Sequence, residues 1–354
     1  MSEEELTLKE IREALRMADE KRLDPQLTRE QRELLELSAL ALRDAERLDI
    51  AQWNNVLNEP SEIWGGLWTQ QKLNTFEKYL NAYLTIMNKW RDKQGWKLIY
   101  FDGFAGSGSK KTENDNSELM ASLFENSTIG NINVYKGAAE RVLDISQRGF
   151  DYYYFIDKDR ESNEKLEQKL GKYKEGKHLI FRHGDANEEI KKLSTAMNSN
   201  NFASLVLLDP FGMQINWESI ESLKDSRSDL WILVPTGVIV NRLLTKKGDL
   251  MCSDKLVSFF GINEDEIKRE FYNKATEKTL FGEFDIYSKV EDSISKIAKL
   301  YVSRLKNIFK FVTERPLVMK NMKNVPIYHF VFASNNETAV KIAEQIIGSK
   351  NRKS

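Results

Sequence analysis

The sequence predicts an α/β fold in which a mostly parallel sheet of seven strands is wound on both faces by helices and closed by a terminal antiparallel hairpin. Three observations lead there. Short β-prone runs alternate with helical patterns between residues 97 and 234, the alternation that builds parallel sheets. One run, Leu205-Val206-Leu207-Leu208, is apolar without interruption, as a central strand covered on both sides must be. Each run also ends in glycine or a small polar residue, and these are the strand ends where ligands sit in open α/β sheets.

Residues 1–50 stand apart: arginine outnumbers lysine and asparagine is absent. Leu8, Ile11 and Leu15, then Leu27, Leu34, Leu37 and Leu40, fall at helical spacing around a break at Asp24-Pro25, so a helical hairpin is expected there, appended to the body. Residues 51–96 form an aromatic, amphipathic segment whose helix, about Thr69 to Arg91, carries Leu73, Phe76, Leu80, Tyr83, Met87 and Trp90 along one stripe. The Rossmann-like core spans 97–245. Its strands are expected at Leu98–Phe101, Tyr152–Ile156, Leu179–Arg182, Leu205–Leu208 and Leu230–Val234, with helices near 137–148, 160–173, 187–198 and 216–224. Residues 246–306 read as a helical insertion, with Phe259, Phe260, Ile267 and Phe271 and later Ile294, Ile297, Leu300 and Tyr301 on recurring faces. Residues 307–354 close the chain with Phe309–Thr313, extending toward Met319, paired to Ile327–Ala333, then a helix near Glu337–Ile347 and a basic tail.

Composition narrows the function. The chain has 354 residues, 41% apolar and 10% aromatic, enough for one large or two ordinary domains with real cores. Its 53 basic and 54 acidic side chains nearly cancel, so no global field announces a nucleic acid or a membrane. Cys252 is the one cysteine, and with only His178, His183 and His329 no metal site is expected. No run approaches the ~18 apolar residues that a membrane span needs, and a reducing, cytoplasmic location is expected.

Four strand ends carry chemistry. Phe101-Asp102-Gly103-Phe104-Ala105-Gly106-Ser107-Gly108 is a glycine turn that lets backbone approach a ligand. Asp157 ends the second strand, placed to accept from a ribose diol; Asp159 is the lesser choice, and a helix cap the bland alternative. Asp185, Ala186 and Asn187 follow the third strand, facing an adenine amine or capping the next helix. Asp209-Pro210-Phe211-Gly212 places a carboxylate, a proline and an aromatic at the end of the buried fourth strand.

In this order the motifs resemble the class I S-adenosylmethionine-dependent methyltransferases. The resemblance implies that Asp102, Gly103, Ala105, Gly106 and Gly108 hold the methionine part, Asp157 the ribose, and Asp185 with Ala186 the adenine. Asp209, Pro210 and Phe211 would then face the methyl acceptor. Enzymes of this class that methylate adenine or cytosine amines carry Asp or Asn, two prolines and an aromatic; here Asp209-Pro210-Phe211-Gly212 keeps the acid, one proline and the aromatic but has Phe-Gly in place of the second-proline sequence. More narrowly, Tyr100 to Gly108, the aromatic helix before them, Leu208 to Gly212 and Asn241-Arg242 resemble the bacterial three-Cys-motif partner family. That implies a cysteine-bearing, radical-SAM-like partner protein. The expected function is methyl transfer to a nucleic-acid base amine; the alternative is a non-catalytic subunit that binds or regulates the partner.

Secondary contacts are expected from Asn241 and Arg242, which follow the fifth strand, with a helix cap as the alternative, and from Lys110 and Lys111, otherwise solvated, in a polar, asparagine-rich loop over 109–133 that reads as a lid or substrate loop or as a disordered surface insert. Between Lys296 and Lys323 eight basic residues face one acid, Glu314, a local +7 that could track a phosphate backbone or simply be a solvated face. Trp64-Gly65-Gly66-Leu67-Trp68 reads as packing or as a cover for the cofactor pocket.

Overall fold

The computed structural model describes residues 67–107, 136–246, 248–279, 282–321 and 324–351. The predicted 1–50 hairpin, Trp64–Gly66, most of the polar loop with Gly108, Lys110 and Lys111, and Lys323 lie outside them. Among the described residues no helix is long and apolar enough to cross a membrane.

Helix α1 (Leu67–Gln94) leads into β1 (Lys97–Asp102). The parallel strands β2 (Tyr152–Asp157), β3 (His178–His183), β4 (Phe202–Leu208) and β5 (Ser228–Val234) follow. Between them run α2 (Ala138–Leu143), α3 (Arg160–Leu170), α4 (Ala186–Met197) and α5 (Trp217–Glu221). An insertion holds α6 (Ser253–Phe260), α7 (Glu264–Phe271), β6 (Tyr272–Thr279), β7 (Gly282–Lys289) and α8 (Ser293–Leu305). The chain returns through β8 (Phe311–Val312), β9 (Leu317–Lys320) and β10 (Pro326–Ser334) to α9 (Glu337–Asn351).

The main sheet runs β3-β2-β1-β4-β5-β10-β8, with β9 also on β10. The first five strands are parallel, and β10 is antiparallel to β5, β8 and β9. This is a Rossmann-like α/β fold, a five-stranded parallel sheet extended by antiparallel strands. β4 and β5 are apolar on both faces because both are covered: Leu205, Val206, Leu208, Leu230, Trp231 and Val234 are buried. Register brings the strand ends to one rim, with Asp102 beside Phe155 of β2 and beside Leu207 of β4. The four motifs therefore share an edge, though up to 107 residues separate Asp102 from Asp209 in sequence.

Helix α1 buries Leu73, Phe76, Tyr79, Leu80, Tyr83 and Leu84, each worth about 1.5–3 kcal/mol relative to exposure. The expected stripe fails at its end, where Trp90 is 49% exposed and Arg91 is buried. The physical reason is a charge pair: Arg91 donates to Asp151 Oδ2 at 2.6 Å and to the Gly149 carbonyl at 2.7 Å, turning the neighbouring Trp90 toward solvent. Asp151 Oδ2 also accepts the Leu98 N–H at 2.7 Å, so one carboxylate fixes the end of α1 and the start of β1. Asp151→Ala is expected to cost about 3 kcal/mol, because a buried guanidinium loses its counter-charge. A urea midpoint unchanged by that substitution would refute the assignment.

Two expectations need correction. The insertion is not purely helical. Its helical positions are those expected, but Tyr272–Thr279 and Gly282–Lys289 pair antiparallel over eight residues each. Helical periodicity on either side concealed a stretch whose Tyr272, Thr276, Phe284, Ile286 and Tyr287 favour extended backbone, and Tyr272 is already extended at φ −132° as α7 ends. The closing strand is also split: β8 and β9 flank Thr313–Pro316, because Pro316 has no N–H for a continuous ladder.

Candidate functional site

The site is built at the carboxyl ends of β1, β2, β3 and β4. Gly103 N–H bonds the Leu207 carbonyl at 3.0 Å and carries the chain off β1 in close contact with its neighbours. A Cβ at this position would lie 2.8 Å from Leu208 Cδ2 and 3.3 Å from the Ala186 Cβ, so glycine lets the turn pack against both β4 and the start of α4. Ala186 is accordingly buried behind the turn. Ala105 N–H then bonds the Ile156 carbonyl at 2.9 Å, and Gly106, at φ +60°, bonds Asp157 Oδ2 at 2.7 Å. Among the described residues, open space lies where a Gly106 side chain would be.

The acids differ in their duties. Asp157 Oδ1 accepts the Asp159 N–H at 2.8 Å, so each oxygen of Asp157 holds one backbone donor and keeps a second lone pair. Asp159 caps α3, accepting from Ser162 Oγ at 2.6 Å. Asp185 caps α4: its Oδ1 accepts from Asn187 N–H and Nδ2, both at 2.8 Å, while Oδ2 lies 3.6 Å from Lys158 Nζ. The alternative of a helix cap thus describes Asp159 and one oxygen of Asp185.

Asp102 is 2% exposed. Its carboxylate accepts the Phe104 N–H and the Tyr100 hydroxyl, each at 3.2 Å. Burial pushes its pKa up to about 7; the Phe104 N–H and the Tyr100 hydroxyl oppose the rise, and the charges of Asp209 and Asp157 add to it. The charges of Asp209 and Asp157 thus both reach Asp102 at the base of the glycine turn.

The fourth strand end contains the residue that sequence reading missed. Lys72, on α1, forms an ion pair with Asp209 Oδ2, the lysine side chain being 6% exposed and the aspartate 22%. The ammonium also lies 5.6 Å from the ring of Trp68, four residues earlier on the same helix face. Trp68 stacks on Tyr328 of β10 with centroids 5.4 Å apart, and the Tyr328 hydroxyl donates to the Phe211 carbonyl at 3.4 Å. Trp68 thus packs beside the Asp209–Phe211 loop through Lys72 and Tyr328. Pro210 is buried, whereas Phe211 is 57% exposed. The loop is fastened by Gln214 Oε1, which accepts the Phe211 N–H at 2.9 Å. Asn187 extends the fastening, donating to the Gln214 carbonyl and accepting from Asn216 N–H, both at 2.8 Å. The Trp64–Trp68 run drew attention to Trp68, but nothing local to Lys72 marks it as a partner of Asp209.

Other predicted contacts lie elsewhere. Asn241 is used in packing: its Oδ1 accepts from Ser293 Oγ at 2.6 Å and its carbonyl from Lys289 Nζ at 2.5 Å, while the Arg242 side chain is exposed. In the basic stretch, Arg304 donates to the Phe260 and Gly261 carbonyls at 3.0 and 2.8 Å and stacks on Trp217, which takes it out of any phosphate-tracking face. Tyr301 and Phe309 are buried. A cavity of about 490 Å³ opens at the opposite rim, near the amino ends of β4 and β5, lined by Trp96, Arg227, Asp229 and Asn335. It contains none of the strand-end motifs. Among the described residues no group of three or more His, Cys, Asp or Glu side chains is arranged to hold a metal ion.

No family model and no curated protein sequence matches the chain. Among solved structures it is similar to a conserved hypothetical protein of Streptococcus pyogenes, at 14% identity over 58% of this chain and 94% of that one, with a TM-score of 0.25. It is also similar to a methyltransferase candidate of Escherichia coli, yhhF, at 15% identity over 59% and 84%, with a TM-score of 0.23. The third is an rRNA methylase of Streptococcus thermophilus, at 10% identity over 56% and 89%, with a TM-score of 0.24.

Proposed function

We propose that the protein is an S-adenosylmethionine-dependent methyltransferase whose acceptor is a nucleic-acid base amine. The observation that carries the reading is the placement of Asp102 and Asp157 on the Gly103–Gly106 turn, with the charge of Asp209 reaching Asp102, an acid-bearing rim that suits a cation joined to a ribose diol. When bound, S-adenosylmethionine supplies an electrophilic methyl whose bonding pair stays on sulfur as the acceptor nitrogen takes the carbon and sheds a proton. The chain's own part is positioning. Asp157 offers one remaining lone pair on each oxygen to the two ribose hydroxyls, the glycine turn brings backbone near the methionine part, and Asp102 faces positive charge from a water-poor position. Asp185 keeps Oδ2 for the adenine amine. Phe211 presents a ring on which a planar acceptor stacks, and Asp209 accepts its amine N–H. The cysteine-bearing partner belongs to this proposal as the protein that would deliver or share the acceptor; co-purification from cells tests it.

Calorimetric titration of the full chain with S-adenosylmethionine and S-adenosylhomocysteine is the direct test. Saturable 1:1 binding of both is expected. A folded chain that binds neither would sink the reading and favour the non-catalytic subunit.

A further inference from the structure

We infer that Lys72 and Asp209 form a single donor–acceptor edge that selects the acceptor base, Asp209 taking an N–H of the exocyclic amine and Lys72 donating to the ring nitrogen beside it. The inference rests on the methyl-transfer reading and names its substrate class: adenine or cytosine, whose amines adjoin a ring nitrogen acceptor.

Three observations support it. The ammonium of Lys72 has three N–H donors, and only one is needed for Asp209 Oδ2. Asp209 Oδ1 has no hydrogen-bond partner among the described residues, on a side chain that is 22% exposed. A donor and an acceptor thus stand side by side in a setting where most of the lysine is out of water, which is where an unmatched polar edge is penalised most. The surroundings suit a flat ring: Phe211 is exposed next to Asp209, and the Trp68–Tyr328 stack borders the ammonium. The same charge disfavours an aliphatic amine. A protein lysine would arrive as a cation and meet the fixed cation of Lys72, whereas the amine of a base is neutral and conjugated.

Analogue bases isolate the role of Lys72. 3-Deazacytidine and 1-deazaadenosine keep the amine but replace the adjoining ring nitrogen with C–H. Binding of fluorescein-labelled single-stranded decamers of cytidine, adenosine and these analogues would be followed by anisotropy, using the full chain with saturating S-adenosylhomocysteine. The wild-type chain is expected to bind at least one natural decamer about tenfold more tightly than its deaza analogue. Lys72→Met should bind that natural decamer about tenfold more weakly and lose the discrimination, with S-adenosylhomocysteine affinity within about twofold of wild type. Discrimination that survives in Lys72→Met overturns the inference, as does a wild-type chain that discriminates for neither base or binds no decamer. A purely structural Lys72 would weaken natural and deaza decamers alike, or lower S-adenosylhomocysteine affinity, and either result also overturns it. The two readings fail separately: loss of the base discrimination with intact S-adenosylhomocysteine binding removes only the role of Lys72, whereas a wild-type chain without S-adenosylhomocysteine binding removes the methyl-transfer reading itself.

Discussion

Alanine at position 157 is expected to lower S-adenosylhomocysteine affinity by at least about 100-fold, the loss of two charge-assisted hydrogen bonds at about 1.5–3 kcal/mol each. The effect has two sources. The ribose loses its acceptors, and the glycine turn loses its latch, since Asp157 Oδ2 holds the Gly106 N–H at 2.7 Å. Asp157→Asn separates them only partly, because an amide nitrogen set against the Gly106 or Asp159 N–H would oppose donor to donor. Asp159→Ala is the control. Its carboxylate caps α3 through Ser162, so its removal should lower the thermal midpoint by a few degrees, about 1 kcal/mol for a lost cap, and leave ligand affinity within about threefold. Calorimetry on the three variants reads both effects; equal affinities for Asp157→Ala and wild type would remove Asp157 from the site.

Asp102→Asn should make the protein more stable and a poorer binder of S-adenosylmethionine. The pKa of Asp102 in the folded protein is about 7, against about 4 for an unfolded aspartate. Between those values the folded state holds a proton that the unfolded chain has released, so this residue's contribution to stability rises as pH falls through 7 toward 4. Above pH 7 the folded state bears the full burden of a buried charge, at most about 4 kcal/mol for a shift of about 3 units. Asparagine removes that charge and keeps an oxygen for the Phe104 N–H. A gain of about 1–3 kcal/mol is expected at pH 8, shrinking as the pH falls below 7 and vanishing only near pH 4, where both states are protonated. Asp229, raised to about 6 by burial, and His329, lowered to about 4 by burial, titrate in the same region, but they are common to both proteins and cancel in the difference. Binding should move the other way. Wild-type affinity for the cationic ligand is expected to fall as pH drops from 8 to 6 and Asp102 takes up its proton, and the variant should bind about tenfold more weakly at pH 8 with a flat profile. Denaturant melts and titrations at pH 5, 6, 7 and 8 check both halves. A wild-type affinity independent of pH over that range would contradict the role given to Asp102.

The raised pKa also explains why a buried acid sits where an apolar residue would stabilise more. On the methyl-transfer reading, stability is given up at Asp102 for charge complementarity to the bound ligand.

Much of this was legible in the sequence because it depends on short-range periodicity. Alternation over 97–234 fixed the order of strands and helices, the uninterrupted apolar run fixed β4 as central, and glycine or acid at each strand end marked the rim. These features are local: burial on one or both faces of an element is written every second or every third to fourth residue. What the tertiary structure alone decided are the long-range pairings. Lys72 reaches Asp209 across 137 positions because α1 lies against the sheet near β4, and Arg91 displaces Trp90 from the apolar stripe because Asp151, 60 residues on, stands beneath it. Arg304, counted as surface charge in the sequence, is spent on the carbonyls that end α6. An ion pair or a capped carbonyl leaves no period in either partner's own segment; it exists only once the strand order has brought the two segments together.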